Sequence, residues 1–113
     1  MRSDEKLERA LIPAGLPVRY YEYAGTKETY IVYNEEYENP ADFGDNQSLG
    51  YVTWWQVHIF APKNSEFRQY KEKITESLKK QGFTVTDIRT LYEKETKTIH
   101  VVIYCHTEES EEE

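Results

Sequence analysis

The chain has 113 residues, 31% of them charged and 14% aromatic, with a formal net charge of −7 and a single cysteine, Cys105. That length gives room for one domain with a modest core, and ten Tyr, four Phe and two Trp argue against a disordered chain. One cysteine forms no internal disulfide, no segment approaches the ~18 apolar residues of a membrane helix, and the opening MRSDEKLERALIPAG interleaves bases with acids, unlike a secretory signal. The expectation is a protein of the reducing cytoplasm.

In chain order, Ser3 is placed to cap a short helix, with Asp4 and Glu5 in the first turn, where the helix dipole favours anions. Leu7, Ala10 and Leu11 form its apolar face, and Pro13 with Gly15 and Pro17 ends it. VRYYEY (18–23) and ETYIVYNEE (28–36) read as strands, joined as a hairpin across Ala24–Lys27. NEEYENPADFGDNQSLG (34–50) reads as a long acidic connection to the next strand, mobile until assembly orders it. That strand, YVTWWQVHIF (51–60), carries apolar bulk at both odd and even positions, which marks a central strand covered on each face. After Pro62, Asn64 or Ser65 is placed to cap a helix running to Gln81, with Phe67, Tyr70, Ile74 and Leu78 in one stripe and Gly82 as its stop. The last part, FTVTDIRTLYEKETKTIHVVIYCHT (83–107), reads as two strands turning around Glu93–Thr96. Helix, three strands, helix, two strands is an α+β pattern with a mostly antiparallel sheet of about five strands packed with two helices. One domain over 1–107 is expected, followed by a disordered acidic tail at 108–113.

The charge is unevenly placed. The 34–50 stretch carries Glu35, Glu36, Glu38, Asp42 and Asp45 with no base, and the final EESEEE adds five Glu. Setting those ten acids aside turns the net charge from −7 to +3, so the acidity sits in two appendages on a mildly basic body. A nucleic-acid binder needs a concentrated basic patch, and none is visible.

The chemistry-bearing residues form no recognisable catalytic or metal pattern. DFG at 42–44 lacks the other kinase motifs, and Asp42, Asp45 and Asn46 miss calcium-loop spacing. His100 and His106 share a face of the last strand but stand roughly 20 Å apart, so His58 can join only one of them. Cys105 and His106 point to opposite faces and cannot form a nucleophile–base pair. No enzyme activity, cofactor or specific metal is expected. The aromatic strands carry only Arg19 beside them, so Tyr30, Tyr33, Trp54 and Trp55 read as core or subunit interface rather than a base-stacking platform.

The ordered pieces LIPAGLPVRYYEYAG, TYIVYNEEYE, an acidic loop, WWQVHIFAPKN, an amphipathic helix and GFTVTDIRTLYEKETKTIHVVI resemble the tail-terminator (tail-completion) proteins, a minor tail protein family of long-tailed bacteriophages and prophages. The resemblance spans Ser3 to Thr107 and leaves out the Glu-rich end. It implies a ring, typically a hexamer, that caps the tail tube and joins it to the head connector. The implied partners are further copies of itself, the tail-tube protein and the head–tail connector, first in the bacterial host cytoplasm and then in the virion tail. DNA would pass through without specific binding. An acidic loop then either faces the lumen, repelling phosphates, or docks on a basic patch of a neighbour. The alternative from another class is a small cytoplasmic domain that binds a ligand or peptide on its aromatic sheet. Exposed carboxylates contribute little to folding. Neutralising Glu35, Glu36, Glu38, Asp42 and Asp45 together should therefore leave the urea midpoint nearly unchanged; a loss of several kcal/mol would show that these acids hold the fold.

Overall fold

The computed structural model describes residues 2–42 and 49–110. Strand β1 (Val18–Tyr20), β2 (Tyr30–Asp42), β3 (Leu49–Pro62), β4 (Thr84–Glu93) and β5 (Thr98–Ser110) form one sheet in the order β1-β2-β3-β5-β4. Helix α1 (Ser3–Leu11), continued by a 3₁₀ turn at Ile12–Ala14, and helix α2 (Phe67–Lys80) complete the expected α+β order. No helix among the described residues is long and apolar enough to cross a membrane.

The pleat of β3 decides the two faces. Thr53, Trp55, Val57, Ile59 and Ala61 are buried, and α1 and α2 lie over that side. Their partners in the core are Ile31 and Tyr33 from β2, Val101, Ile103 and Cys105 from β5, Leu7, Ala10 and Leu11 from α1, and Ile74 and Leu78 from α2. The expected helical stripes thus meet the odd face of the strand, with Phe67 and Tyr70 packed at the margin. Thr107 ties the layers together: its Oγ1 accepts from Lys6 Nζ at 2.8 Å and donates to the Gly82 carbonyl at 3.2 Å. Gly82 takes φ +92°, and the Phe83 and Gly82 amides bond back to the Leu78 and Lys79 carbonyls, closing α2 with a left-handed cap.

Several expectations are corrected. β1 and β2 are not a hairpin; they pair in parallel, Val18 opposite Ile31 and Tyr20 opposite Tyr33. Tyr21 at φ +66° turns the chain out of β1, and the return loop is closed where Tyr23 Oη accepts the Lys27 amide at 3.0 Å. A Cβ on Gly25 would fall 2.2 Å from Tyr23 Oη, so a larger residue there would force the Tyr23 ring to move. The acidic connection is mostly strand: β2 runs on to Asp42 and β3 starts at Leu49, with a bulge at Glu36. The acidic tail does not begin at 108 either, since Glu108 and Glu109 pair with Val52 and Tyr51 in β5. Ser3 is not the N-cap of α1; its own amide donates to Glu109 Oε2 at 3.1 Å, so a carboxylate from β5 caps the helix. Neither Asn64 nor Ser65 caps α2: the N-cap is Glu66, and Ser65 Oγ donates to the Pro62 carbonyl.

Ile59 is fully buried beneath the helices, whereas Leu91 on edge strand β4 is 51% exposed. Urea unfolding should show Ile59→Ala losing roughly 2–5 kcal/mol and Leu91→Ala about 0.5 kcal/mol or less. Equal losses would contradict the assigned sidedness.

Candidate assembly surface

Two surfaces bring polar side chains together, one on each side of the sheet. On the helix side, the bulge at Glu36 lets both Glu35 and Glu38 face the start of α1, opposite Trp55 and Thr53. There Glu35 and Glu38 join Asp4 and Glu8 of α1 and Glu109 of β5 around a cleft of about 460 Å³, with Tyr20, Tyr33 and Trp55 in its walls. Arg2 is the cation in that lining, and it is held by Asp4 through a bidentate contact at 2.8 and 3.1 Å. Tyr33 donates its hydroxyl to Glu8, Tyr20 donates to Glu35, and the Ser3 amide donates to Glu109. These donors fix the orientation of Glu8, Glu35 and Glu109. The hydrogen bond to Glu35 pushes the Tyr20 phenol up to about 12, and burial followed by the bond to Glu8 raises that of Tyr33.

On the uncovered side, the even residues of β3 stack with their neighbours. Tyr30 lies 5.0 Å from Phe60 and Phe60 4.2 Å from His100, while Trp54 sits between Tyr37 at 5.3 Å and His106 at 4.2 Å. His58 Nδ1 is 2.8 Å from His100 Nε2, and His58 Nε2 is 2.8 Å from Asn34 Oδ1. With the amide oxygen accepting, His58 carries its proton on Nε2 and accepts from His100 Nε2–H. Asn34 then donates from Nδ2 to Gln56 Oε1 at 3.3 Å, completing a chain of neutral donors and acceptors. Burial, reinforced by the neighbouring His100, lowers His58 to about 4; burial also lowers His100.

The structure sorts the residues singled out in the sequence. Tyr30 and Trp54 lie on the uncovered face, as an interface would need. Tyr33 and Trp55 are 4% and 3% exposed within this chain's own core, so they offer little surface to a partner. Of the five acids, Glu35 and Glu38 face the helix side, Glu36 lines a shallow depression with Tyr37, Trp54 and Arg89 on the other, and Asp42 ends β2. Asp45 lies outside the described residues. The expected single acidic surface is therefore split by the pleat. Cys105 is paired with Trp55 and buried, which pushes its thiol up to about 12, while His106 stands on the opposite face. Asp4, Glu8, Tyr20 and Glu109 were not singled out as site residues, because their meeting depends on strand register and on where α1 lands.

Comparison with known proteins places the fold. The chain is similar to a chain of the virion of a native gene transfer agent particle, with a TM-score of 0.57 over 97% of this chain and 88% of that one. The identity is 14%, so the likeness is one of fold. No protein-family profile and no curated protein matches the sequence.

The histidine chain carries a pH dependence whose sign is fixed. Because His58 titrates lower when folded than when unfolded, the unfolded chain binds the extra proton between the two values. Its contribution is present above about 6.5 and is lost as pH falls toward about 4. The unfolding midpoint should drop across that window, and His58→Gln should flatten the drop; an unchanged slope would contradict the assignment.

Proposed function

We propose that the chain is a structural subunit of a phage-like particle, a ring-forming tail terminator that caps the tail tube and joins it to the head connector. The observation that carries this reading is the fold likeness to the gene transfer agent virion chain, which runs through nearly the whole of both chains rather than a shared fragment. The order of sequence pieces that resembles tail terminators supports the same role. So does the distribution of surface chemistry. Among the described residues, Tyr30, Phe60, Trp54, His58 and His100 stack on a sheet face that neither helix covers, and aromatic rings of this kind are enriched where proteins meet.

The role is structural, with no bond-making step assigned to any residue. His58 and His100 satisfy each other, and Cys105 is sealed in the core. In this reading the partners are further copies of the chain, the tail-tube protein and the head connector. DNA moves past the ring without being bound, because surfaces rich in carboxylate repel its phosphates. Assembly takes place in the host cytoplasm and the product resides in the virion tail.

Light scattering on the purified chain, alone and with the tail-tube protein of the same particle, tests the proposal. A mass of several chains, with six the expected number, or a complex with tube protein, supports it. A monomer that binds neither itself nor tube or connector protein overturns it.

A further inference from the structure

We propose that strand β4 of one copy pairs edge to edge with β4 of a second copy, antiparallel and centred on Leu91. The contact is independent of the ring reading: a two-fold pairing joins two copies, or two rings, and stops there. β4 (Thr84–Glu93) ends the sheet beyond β5, so among the described residues its outer edge faces no strand. Such an edge turns the backbone N–H and C=O of every second residue outward, a template for another strand. The opposite edge of the sheet is blunted. There β1 covers Ile31 to Tyr33, and β2 continues through the bulge at Glu36 and through Pro40, which has no donor, among the carboxylates of Glu35, Glu36 and Glu38. In β4 the register shift falls at Thr86, near the start, and Asp87 to Glu93 pair with β5 in unbroken register.

The side chains decide which strand fits. From Thr86 to Glu93 every residue is exposed, so neither helix covers this part of β4. It nevertheless carries Ile88, Leu91 and Tyr92, an exposed apolar concentration that a solvated edge usually avoids. Asp87, Arg89, Leu91 and Glu93 share the uncovered face, opposite Tyr104, Val102, His100 and Thr98 of β5, and Ile88, Thr90 and Tyr92 share the other. An antiparallel pair centred on Leu91 sets the two Leu91 side chains together, with Arg89 of each copy opposite Glu93 of the other. On the far face it sets Thr90 opposite Tyr92. The neighbouring registers are disfavoured. Centring on Thr90 sets Asp87 opposite Glu93, centring on Arg89 sets two guanidiniums together, and centring on Tyr92 sets Leu91 opposite Glu93. Among these registers β4 is complementary to itself in one, with an apolar centre between two ion pairs. Asp87, 3.0 Å from Arg89 within the chain, holds that guanidinium beside the edge.

Sedimentation velocity on the full chain over a range of concentration tests the pairing. The wild-type chain should form pairs that dissociate on dilution, because so short a contact lies at the weak end of protein interfaces. Arg89→Glu and Glu93→Arg, each alone, should weaken pairing about tenfold or more, since each sets like charges opposite one another at both ends of the contact. Arg89→Glu combined with Glu93→Arg should restore it, as should mixing the two single variants. Rescue by the double variant isolates the contact between copies, because the Asp87–Arg89 pair within the chain stays broken. Leu91→Lys, at a half-exposed position, should abolish pairing with little change in the urea midpoint. Hydrogen exchange gives a second readout that needs no variant: the β4 amides should gain protection as the wild-type concentration rises. Pairs that survive Leu91→Lys, folded single variants that the double does not rescue, or β4 exchange that concentration leaves unchanged overturn the contact. A wild-type chain that stays single but binds tube protein overturns this contact and leaves the ring reading standing. One that stays single and binds no tube or connector protein overturns both.

Discussion

A β-strand turns successive side chains to opposite faces, and β3 is paired along almost all of its length, by β2 on one side and β5 on the other. Such a strand has no freedom to slip, because moving by one residue would carry Val57 and Ile59 into solvent and bring Gln56 and His58 under the helices. The helix layer, the core and both candidate surfaces follow from that single register. The odd residues hold α1 and α2. The even residues carry the aromatic and histidine face, where His58 reaches across to His100 rather than to the residue directly opposite it.

The same constraint explains how the acidic groups come to be divided. One extra residue at Glu36 resets the alternation of β2, so that Glu35 and Glu38 reach the helix side and Tyr37 pairs with Trp54 on the other. At the far end of β5, Glu109 becomes the cap of α1. Glu109, which reads as solvated acid in the sequence, thus ties the helix layer to the sheet, and Glu35 and Glu38 line the cleft beside α1.

The elements that declared themselves in the sequence are those whose pattern reports burial. YVTWWQVHIF showed two apolar faces, of which the core takes the odd one with Trp55, Val57 and Ile59 and leaves Trp54, His58 and Phe60 on the uncovered side, whereas the helical stripe of Phe67, Tyr70, Ile74 and Leu78 meets the core as its spacing indicates. What did not show has physical reasons. Asn39 and Pro40 are poor strand formers, yet they are held in β2 by pairing with Val52 and Tyr51, so tertiary context overrode local preference. The parallel β1 depends on the left-handed turn at Tyr21, which its residue type does not announce. Glu108 and Glu109 look like a tail because nothing local says that β3 is long enough to pair with them. The cleft was hidden for the most general reason: its five carboxylates come from α1, β2 and β5, and only the folded register brings them together.

Electron microscopy of the chain mixed with the tail-tube protein of its particle tests the central claim most directly. The account predicts closed rings seated at one end of each tube, with tube growth arrested at that end. Tubes that grow without bound and carry no additional density at either end would contradict it.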